Sequence, residues 1–169
     1  QFGLVTHPGA GNWSGTLANA LLYYDSDLSK LDRAGIVHRL DKNTSGLMVI
    51  SKNLKSQKFL VGQLQSHSVE REYSAIVYGH MISGGSIHEP IGRDPKDRVK
   101  QATMVNGKEA LTHYRAIDRF KSHTHVKAIL ETGRTHQIRV HLSHIGHPLI
   151  GDPVYGCLLY TSPSPRDAH

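Results

Sequence analysis

The residues best suited to chemistry lie in two short stretches. The first is Arg39-Leu40-Asp41-Lys42, inside a polar turn that runs from Arg39 to Gly46 between apolar residues. A carboxylate flanked by Arg39 and Lys42 stays ionised at neutral pH, as a nucleophile or general base must. A turn aspartate that hydrogen-bonds its own backbone would use the same residue type, so the pattern alone leaves both roles open. The second stretch is Gly133 to His141, with Arg134 and Arg139. Arg139 sits beside the apolar stripe of an expected helix. Its guanidinium can reach inward and make a charge-assisted contact with a loop carboxylate, or it can belong to a solvated helix face. His136, His141, His144 and His147 follow nearby and raise the question of a zinc site. There is no His-Glu-x-x-His pattern and no carboxylate within this helix, so imidazoles that face an anionic partner such as a nucleic acid or cap neighbouring elements fit better. Arg93, Lys96, Arg98 and Lys100 make a basic loop suited to phosphate contacts. No phosphate-binding glycine loop and no Gly-x-Ser-x-Gly elbow occurs.

Several elements must position these groups. Gly3 to Gly15 reads as a loop, with Ser14 capping a short helix that carries Leu17, Ala18, Leu21 and Leu22. Asp25 to Arg33 is a polar connection. Ile36 and Val37 begin an extended piece, and Leu47 to Ile50 is an unbroken apolar run that predicts a strand buried on both faces. Asn53 caps a helix through Ser66 with Leu60, Val61 and Leu64 on one side. Arg71 to Tyr78 alternates, so Tyr73, Ala75 and Val77 share one face of a strand. Gly84-Gly85 marks a turn. Pro90 to Lys108 is a long polar stretch with a hairpin-type signal at Asn106-Gly107. Ala110 to Ile117 and His125 to Glu131 read as strands. Thr135 caps a helix with Ile138, Leu142 and Ile145 on one stripe, Gly146 as its stop and Pro148 beyond. Gly151-Asp152-Pro153 is a turn.

Composition sets the frame. The chain has 169 residues, a common single-domain size, with 38% apolar and 20% charged residues. Its 20 Lys and Arg against 14 Asp and Glu give a net charge of +6, with 13 histidines uncounted, which suits an anionic partner. A single cysteine, Cys157, excludes an internal disulfide framework. No apolar run approaches the roughly 18 residues of a membrane span. The opening shows no signal-peptide pattern, and a first residue of Gln fits a fragment or processed product. Residues 157–169, CLLYTSPSPRDAH, change character and are expected to be a disordered or non-native tail.

Taken together, HRLDKNTSGLMVISK (38–52), REYSAIVYGHM (71–81) and LETGRTHQIRVHLSHIGHPLIGDPVYG (130–156) closely resemble the RluA/RluD family of pseudouridine synthases. The opening VTHPGAGNWSGTLANALLYY resembles its RluD-like branch, and the resemblance spans residues 4 to 156. It implies an α+β pseudouridine synthase fold, with a mixed, largely antiparallel bent sheet, flanking helices and a central cleft. It implies isomerisation of uridine to pseudouridine in RNA, large-subunit (23S) ribosomal RNA in particular, in the cytoplasm, with no metal and no organic cofactor. Asp41 matches the family's catalytic aspartate, Tyr73 the tyrosine that stacks on the base, and Arg139 the basic residue that pairs with the aspartate. Arg39 matches the arginine that helps displace the target nucleotide. Leu40, Arg93, Arg98, Lys100, Arg134, His136 and Ile138 are expected at the RNA. Asn43 stands where the motif more usually has aspartate, a change a turn tolerates. Relatives carry a small RNA-binding domain before the catalytic one, a first strand with a Lys-Pro motif, and further strands after Gly156. Residues 1–156 are therefore expected to be an incomplete catalytic domain. The alternative is a fragment that binds RNA without turning it over; a histidine-based metallohydrolase is the more distant rival.

Overall fold

The computed structural model describes residues 3–156, and the expected tail at 157–169 lies outside them. The chain divides after Val69 into two compact units.

The first unit is built around two helices. Helix α1 spans Leu17–Tyr24 and α2 spans Leu54–Gln65. Thr16, not Ser14, is the cap of α1. Its side chain accepts from the Asn19 N–H while Asn19 Oδ1 accepts from the Thr16 N–H at 3.0 Å, a reciprocal pair that only a residue immediately before Leu17 can make. Asn53 caps α2 as expected, accepting from the Ser56 N–H at 2.8 Å. The core here is Ala18, Leu28, Ala34 and Ile36, with Met48 and Ile50 packed against it. Leu47 is 94% exposed and Val49 49%, so the expected strand buried on both faces is not formed. The run alternates instead: Met48 and Ile50 turn to the core, and the other two turn away from it. A run of four apolar residues reveals extended backbone but not how many layers cover it.

Between α1 and this run the backbone takes an unusual course. Arg33, Ala34 and Gly35 have φ of 51°, 52° and 81°, three left-handed residues in succession. Each non-glycine residue held there costs on the order of 1 kcal/mol. Gly35 is obligatory, because a Cβ would stand 2.1 Å from the Ser51 carbonyl oxygen. That carbonyl neighbour is fixed, since the Ser51 N–H and Oγ both donate to the Gly35 carbonyl at 2.9 and 2.8 Å. Gly35→Ala is expected to destabilise the chain by about 2–4 kcal/mol, from backbone clash and left-handed strain together. Urea denaturation checks this; a loss below 1 kcal/mol would mean the turn can rearrange.

The second unit holds a four-stranded antiparallel sheet in the order β1-β6-β5-β2, formed by Glu72–Tyr78, His123–Leu130, Leu111–Arg119 and Gly85–His88. A separate ribbon pairs β3, Ile91–Arg93, with β4, Gln101–Thr103. All these pairings are antiparallel, so the α+β expectation holds. Strand β6 shows the cleanest alternation: Thr124, Val126, Ala128 and Leu130 are buried. Helix α3, Gln137–His144, carries Leu142 and Ile138 into the core of Val77, Met81, Ile87 and Val126. Each fully buried aliphatic side chain contributes about 1.5–3 kcal/mol. Val140, one step round the helix, packs with Ile91 and Ala110 under the ribbon. The residue before α3 is His136, at φ 58° and without a side-chain cap, so Thr135 does not cap it. Gly146, at φ 83°, follows the helix where a left-handed stop is favoured.

Candidate active site

Asp41 stands in the polar turn of the first unit, half-buried. The turn is closed at its base by three contacts. Gly35 and Ser51 share the hydrogen bonds above, Ile36 bridges Ile50, and the Val49 N–H donates to His38 Nε2 at 2.9 Å. An accepting Nε2 leaves the proton of a neutral imidazole on Nδ1, so His38 supports the loop as a neutral ring. Within the turn the Thr44 N–H donates to the Asp41 carbonyl at 2.9 Å, and the Gly3 N–H to the Lys42 carbonyl at 2.9 Å. Asp41 is thus carried on a tied loop. Arg39 beside it is exposed and Leu40 half-buried.

In the second unit, Arg139 is not a solvated helix residue. Its Nε donates to Asp152 Oδ2 at 2.7 Å and its Nη2 to Asp152 Oδ1 at 2.9 Å, a planar two-bond fork with side chains only 16% and 4% exposed. Its guanidinium carbon lies 4.8 Å from the Tyr155 ring centroid. Asp152 also accepts from the Val154 and Tyr155 N–H groups at 2.9 and 3.1 Å. Burial pushes its carboxyl up, but Arg139 and the two backbone donors outweigh this and hold it below the usual carboxylate range. The contact uses two of the five guanidinium N–H groups and so sets the direction of the remaining ones.

Tyr155 is a strut. Its phenol oxygen accepts from the Gln101 N–H at 2.7 Å and shares a 2.8 Å hydrogen bond with His136 Nδ1, tying β4 to the start of α3. Beneath it Gln137 is fully engaged. Its Oε1 accepts from Thr132 Oγ1 at 2.8 Å and the Arg134 N–H at 2.9 Å, while its Nε2 donates to the Leu111 carbonyl and Thr112 Oγ1, both at 3.0 Å. Thr112 in turn meets His141 Nδ1 at 2.9 Å, and His141 Nε2 meets the Glu89 carbonyl at 2.9 Å. Burial holds the His141 imidazole below its ordinary pKa, as a neutral ring between one donor and one acceptor requires.

The four histidines therefore go to separate partners. His144 Nδ1 meets Thr103 Oγ1 at 3.1 Å and His147 Nδ1 the Tyr78 carbonyl at 2.8 Å. Among the described residues no group of three or more His, Cys, Asp or Glu could hold a metal ion.

Arg134, His136, Ile138 and Arg139 are gathered at the start of α3, where Arg134 Nε donates to the Glu109 carbonyl at 2.8 Å and Ile138 packs partly against the core. Tyr73 lies on β1 opposite Ala128, on the face it shares with Ala75 and Val77. Arg71, two residues earlier, donates to the Glu131 carbonyl at 2.7 Å, and its guanidinium interacts with Tyr73 and Arg134. Arg93 ends β3; Arg98 and Lys100 lie in the 94–100 loop, which is folded on itself by Asp94 accepting from the Lys96 N–H at 2.7 Å and Asp97 from the Val99 N–H at 2.9 Å. Asp152 and Tyr155 escaped the sequence reading as site residues, although Gly-Asp-Pro-Val-Tyr-Gly stands in the quoted motif; the turn was legible there, and its partner was not.

The first unit thus carries Asp41 on a tied loop, and the second carries Arg139 in a fork with Asp152. Residues 2–144 match the family model described as RNA pseudouridylate synthase, and the chain belongs to this family. It is 60% identical over 154 residues to the Ribosomal large subunit pseudouridine synthase D of Pseudomonas aeruginosa, covering 91% of this chain and 48% of that protein. The protein of the same name from Escherichia coli K12 is 56% identical over 153 residues, covering 90% of this chain and 47% of that one. The chain thus spans about half the length of the curated relatives it matches. Among solved structures it is similar to human RNA Pseudouridylate Synthase Domain Containing 1, with a TM-score of 0.73 at 28% identity, covering 85% of this chain and 61% of that one. Among the described residues no helix is long and apolar enough to cross a membrane.

Proposed function

We propose that this chain is the catalytic part of an enzyme that converts uridine to pseudouridine in RNA, acting on large-subunit (23S) ribosomal RNA in the cytoplasm. The N1–C1′ glycosidic bond breaks, the uracil turns, a C5–C1′ bond forms, and the C5 proton leaves while N1 gains one. The product is an isomer, and no oxidant, metal or organic cofactor enters the balance. Membership of the family over residues 2–144 is the observation that carries this reading.

Asp41 is the carboxylate of the reaction, whether it attacks C1′, adds to the uracil ring or removes a sugar proton. Tyr73 offers the displaced base a stacking surface, worth roughly 1–3 kcal/mol. Arg139, held by Asp152 with only 16% of its side chain exposed, is the basic residue assigned to the reaction. Arg39 and Leu40 occupy the gap left by the displaced nucleotide, offsetting part of the few kcal/mol that unstacking costs. Arg93, Arg98, Lys100, Arg134, His136 and Ile138 contact the RNA. Residues 1–156 act as the pseudouridine synthase domain.

Incubating the chain with RNA tritiated at uridine C5 tests the reading directly. Tritium release with pseudouridine in the digested product is expected. RNA binding without release would instead establish a fragment that holds RNA and lacks turnover.

A further inference from the structure

The sheet of the second unit has a face that the site above does not use. Along β1, Tyr73, Ala75 and Val77 turn one way, so Glu72, Ser74 and Ile76 turn the other way, towards solvent. On this outer face Ser74 of β1, His125 of β6 and Asp118 of β5 form a hydrogen-bonded chain. Ser74 Oγ lies 2.6 Å from His125 Nε2, and His125 Nδ1 lies 3.1 Å from Asp118 Oδ2. A carboxylate can only accept, so Nδ1 donates to Asp118, and Nε2 of the neutral ring accepts from the Ser74 hydroxyl. A serine hydroxyl on an imidazole whose other nitrogen is held by an acid is the arrangement that activates oxygen for attack on an acyl carbon.

Strand β5 departs from regular pairing to build this chain. Ala116 pairs with Val126, yet the residue opposite His125 is Asp118, so Ile117 is the extra residue of a β-bulge. In a regular ladder Ile117 would stand opposite His125, and Asp118 would share the inward face of Ala116, which packs against the core. The bulge therefore delivers a carboxylate to an imidazole. The neighbours suit an ester. Lys127 stands opposite Ser74, and Arg115 opposite Lys127, so two cations share the row of Ser74, where an oxyanion would develop. Glu72 holds the Lys127 ammonium on this face at 2.9 Å. Ile76, opposite His125 and 39% exposed, offers apolar surface to a short acyl group. A second chain joins Ser86 Oγ to His113 Nδ1 and His113 Nε2 to Glu131 Oε1, both at 2.6 Å. Its row continues through Ile129 to Glu72 and holds no cation, so it lacks the means to stabilise an oxyanion.

We infer that Ser74 is a nucleophile for acyl transfer from small activated carboxylic esters, with His125 as its general base and Asp118 positioning the imidazole. The Ser74 oxygen adds to the ester carbonyl carbon while its proton passes to His125 Nε2. The ester C–O bond then breaks, the leaving oxygen takes that proton, and acyl-Ser74 remains. Water gives a proton to the same nitrogen as it attacks the acyl carbon, the carboxylic acid leaves, and the Ser74 hydroxyl is restored. The site lies on the opposite face of β1 from Tyr73 and is independent of the RNA reaction proposed above.

The test uses the full chain and two probes. An alkyl fluorophosphonate loses fluoride to an activated serine and leaves a stable adduct, which peptide mass spectrometry places. p-Nitrophenyl acetate reports acyl transfer through p-nitrophenol release. The adduct is expected on Ser74, and Ser74→Ala should abolish both the adduct and the enzyme-dependent p-nitrophenol release. His125→Gln should slow adduct formation at Ser74 by about a hundredfold. Asp118→Asn should slow it by about tenfold, and Asp118→Glu, which keeps an acid facing the ring, should recover part of the rate. Equal losses in the Asn and Glu variants would mean that Asp118 serves only the bulge, and would remove it from the site. Asp118 is 61% exposed, so its variants carry the test if His125→Gln lowers the melting temperature. Ser86→Ala should leave both rates unchanged. No adduct at Ser74, an adduct spread equally over Ser74 and Ser86, or an undiminished rate in His125→Gln overturns the proposal.

Discussion

Asp41→Asn in this chain is expected to lower pseudouridine formation by roughly 10³-fold or more, because asparagine keeps the shape and loses the ionised oxygen that every proposed route needs. The loop should survive. Its base is closed by His38, Ile36, Gly35 and their partners, and the Thr44 N–H bonds the backbone carbonyl of residue 41, which the substitution leaves in place. Asparagine is also at home in turns. RNA affinity should stay level or rise slightly, since a negative charge leaves a basic surface. Tritium release and filter binding on the same preparation separate the two effects. A variant that turns over at a normal rate would remove Asp41 from the chemistry. A variant that loses binding in step with turnover would make it a structural residue of the loop.

The second large effect is on Asp152. Its carboxylate holds the Arg139 fork and two backbone N–H groups at once, with 4% of its side chain exposed. Asp152→Ala leaves a largely buried guanidinium without that partner, and breaking such a pair costs about 3–5 kcal/mol. Arg139→Lys should also cost activity, because an ammonium cannot reproduce a planar two-bond contact. The pH dependence has a definite sign. Asp152 is held below its unfolded value, so its contribution is complete above about pH 4 and fades as pH falls through the lower folded value. The stability gap between the parent chain and Asp152→Asn should therefore narrow below about pH 4. Denaturant midpoints at pH 7 and pH 3 measure it; a gap that stays constant across that range would show that the charge on Asp152 is not what stabilises the fork.

How far the sequence could be read depended on the range of the interactions involved. Helix α2 was legible because its cap and its apolar residues are local: Asn53 and Ser56 are three apart. Strand β1 was legible because Tyr73, Ala75 and Val77 alternate over a full seven-residue element. Strand β2 and the β3–β4 ribbon were not, since elements of three or four residues have no measurable period and exist through their partners. Ile91 is a strand residue because Thr103 and Lys108 pair with it. The caps at Thr16 and His136 were missed by two residues and one, where the deciding geometry is a reciprocal hydrogen-bond pair in the first case and a left-handed backbone dihedral in the second. Among the candidate residues, Asp41, Tyr73 and Arg139 stood out through long motifs. Asp152 did not, because its importance comes from a guanidinium thirteen residues away that the turn pattern says nothing about.

Gln137 carries a lesson for comparing relatives of this chain. Its amide spends both oxygen lone pairs and both N–H groups on Thr132, Arg134, Leu111 and Thr112. Glutamate would turn two donors into acceptors facing acceptors, and glutamine's other near neighbours are too short, too long or charged. Descent can scarcely move such a position one substitution at a time. It sits directly between His136 and Ile138, in the stretch where invariance is most readily taken for chemistry. A side chain wholly committed to hydrogen bonds within its own fold would then look as constant across a family as one that does chemistry.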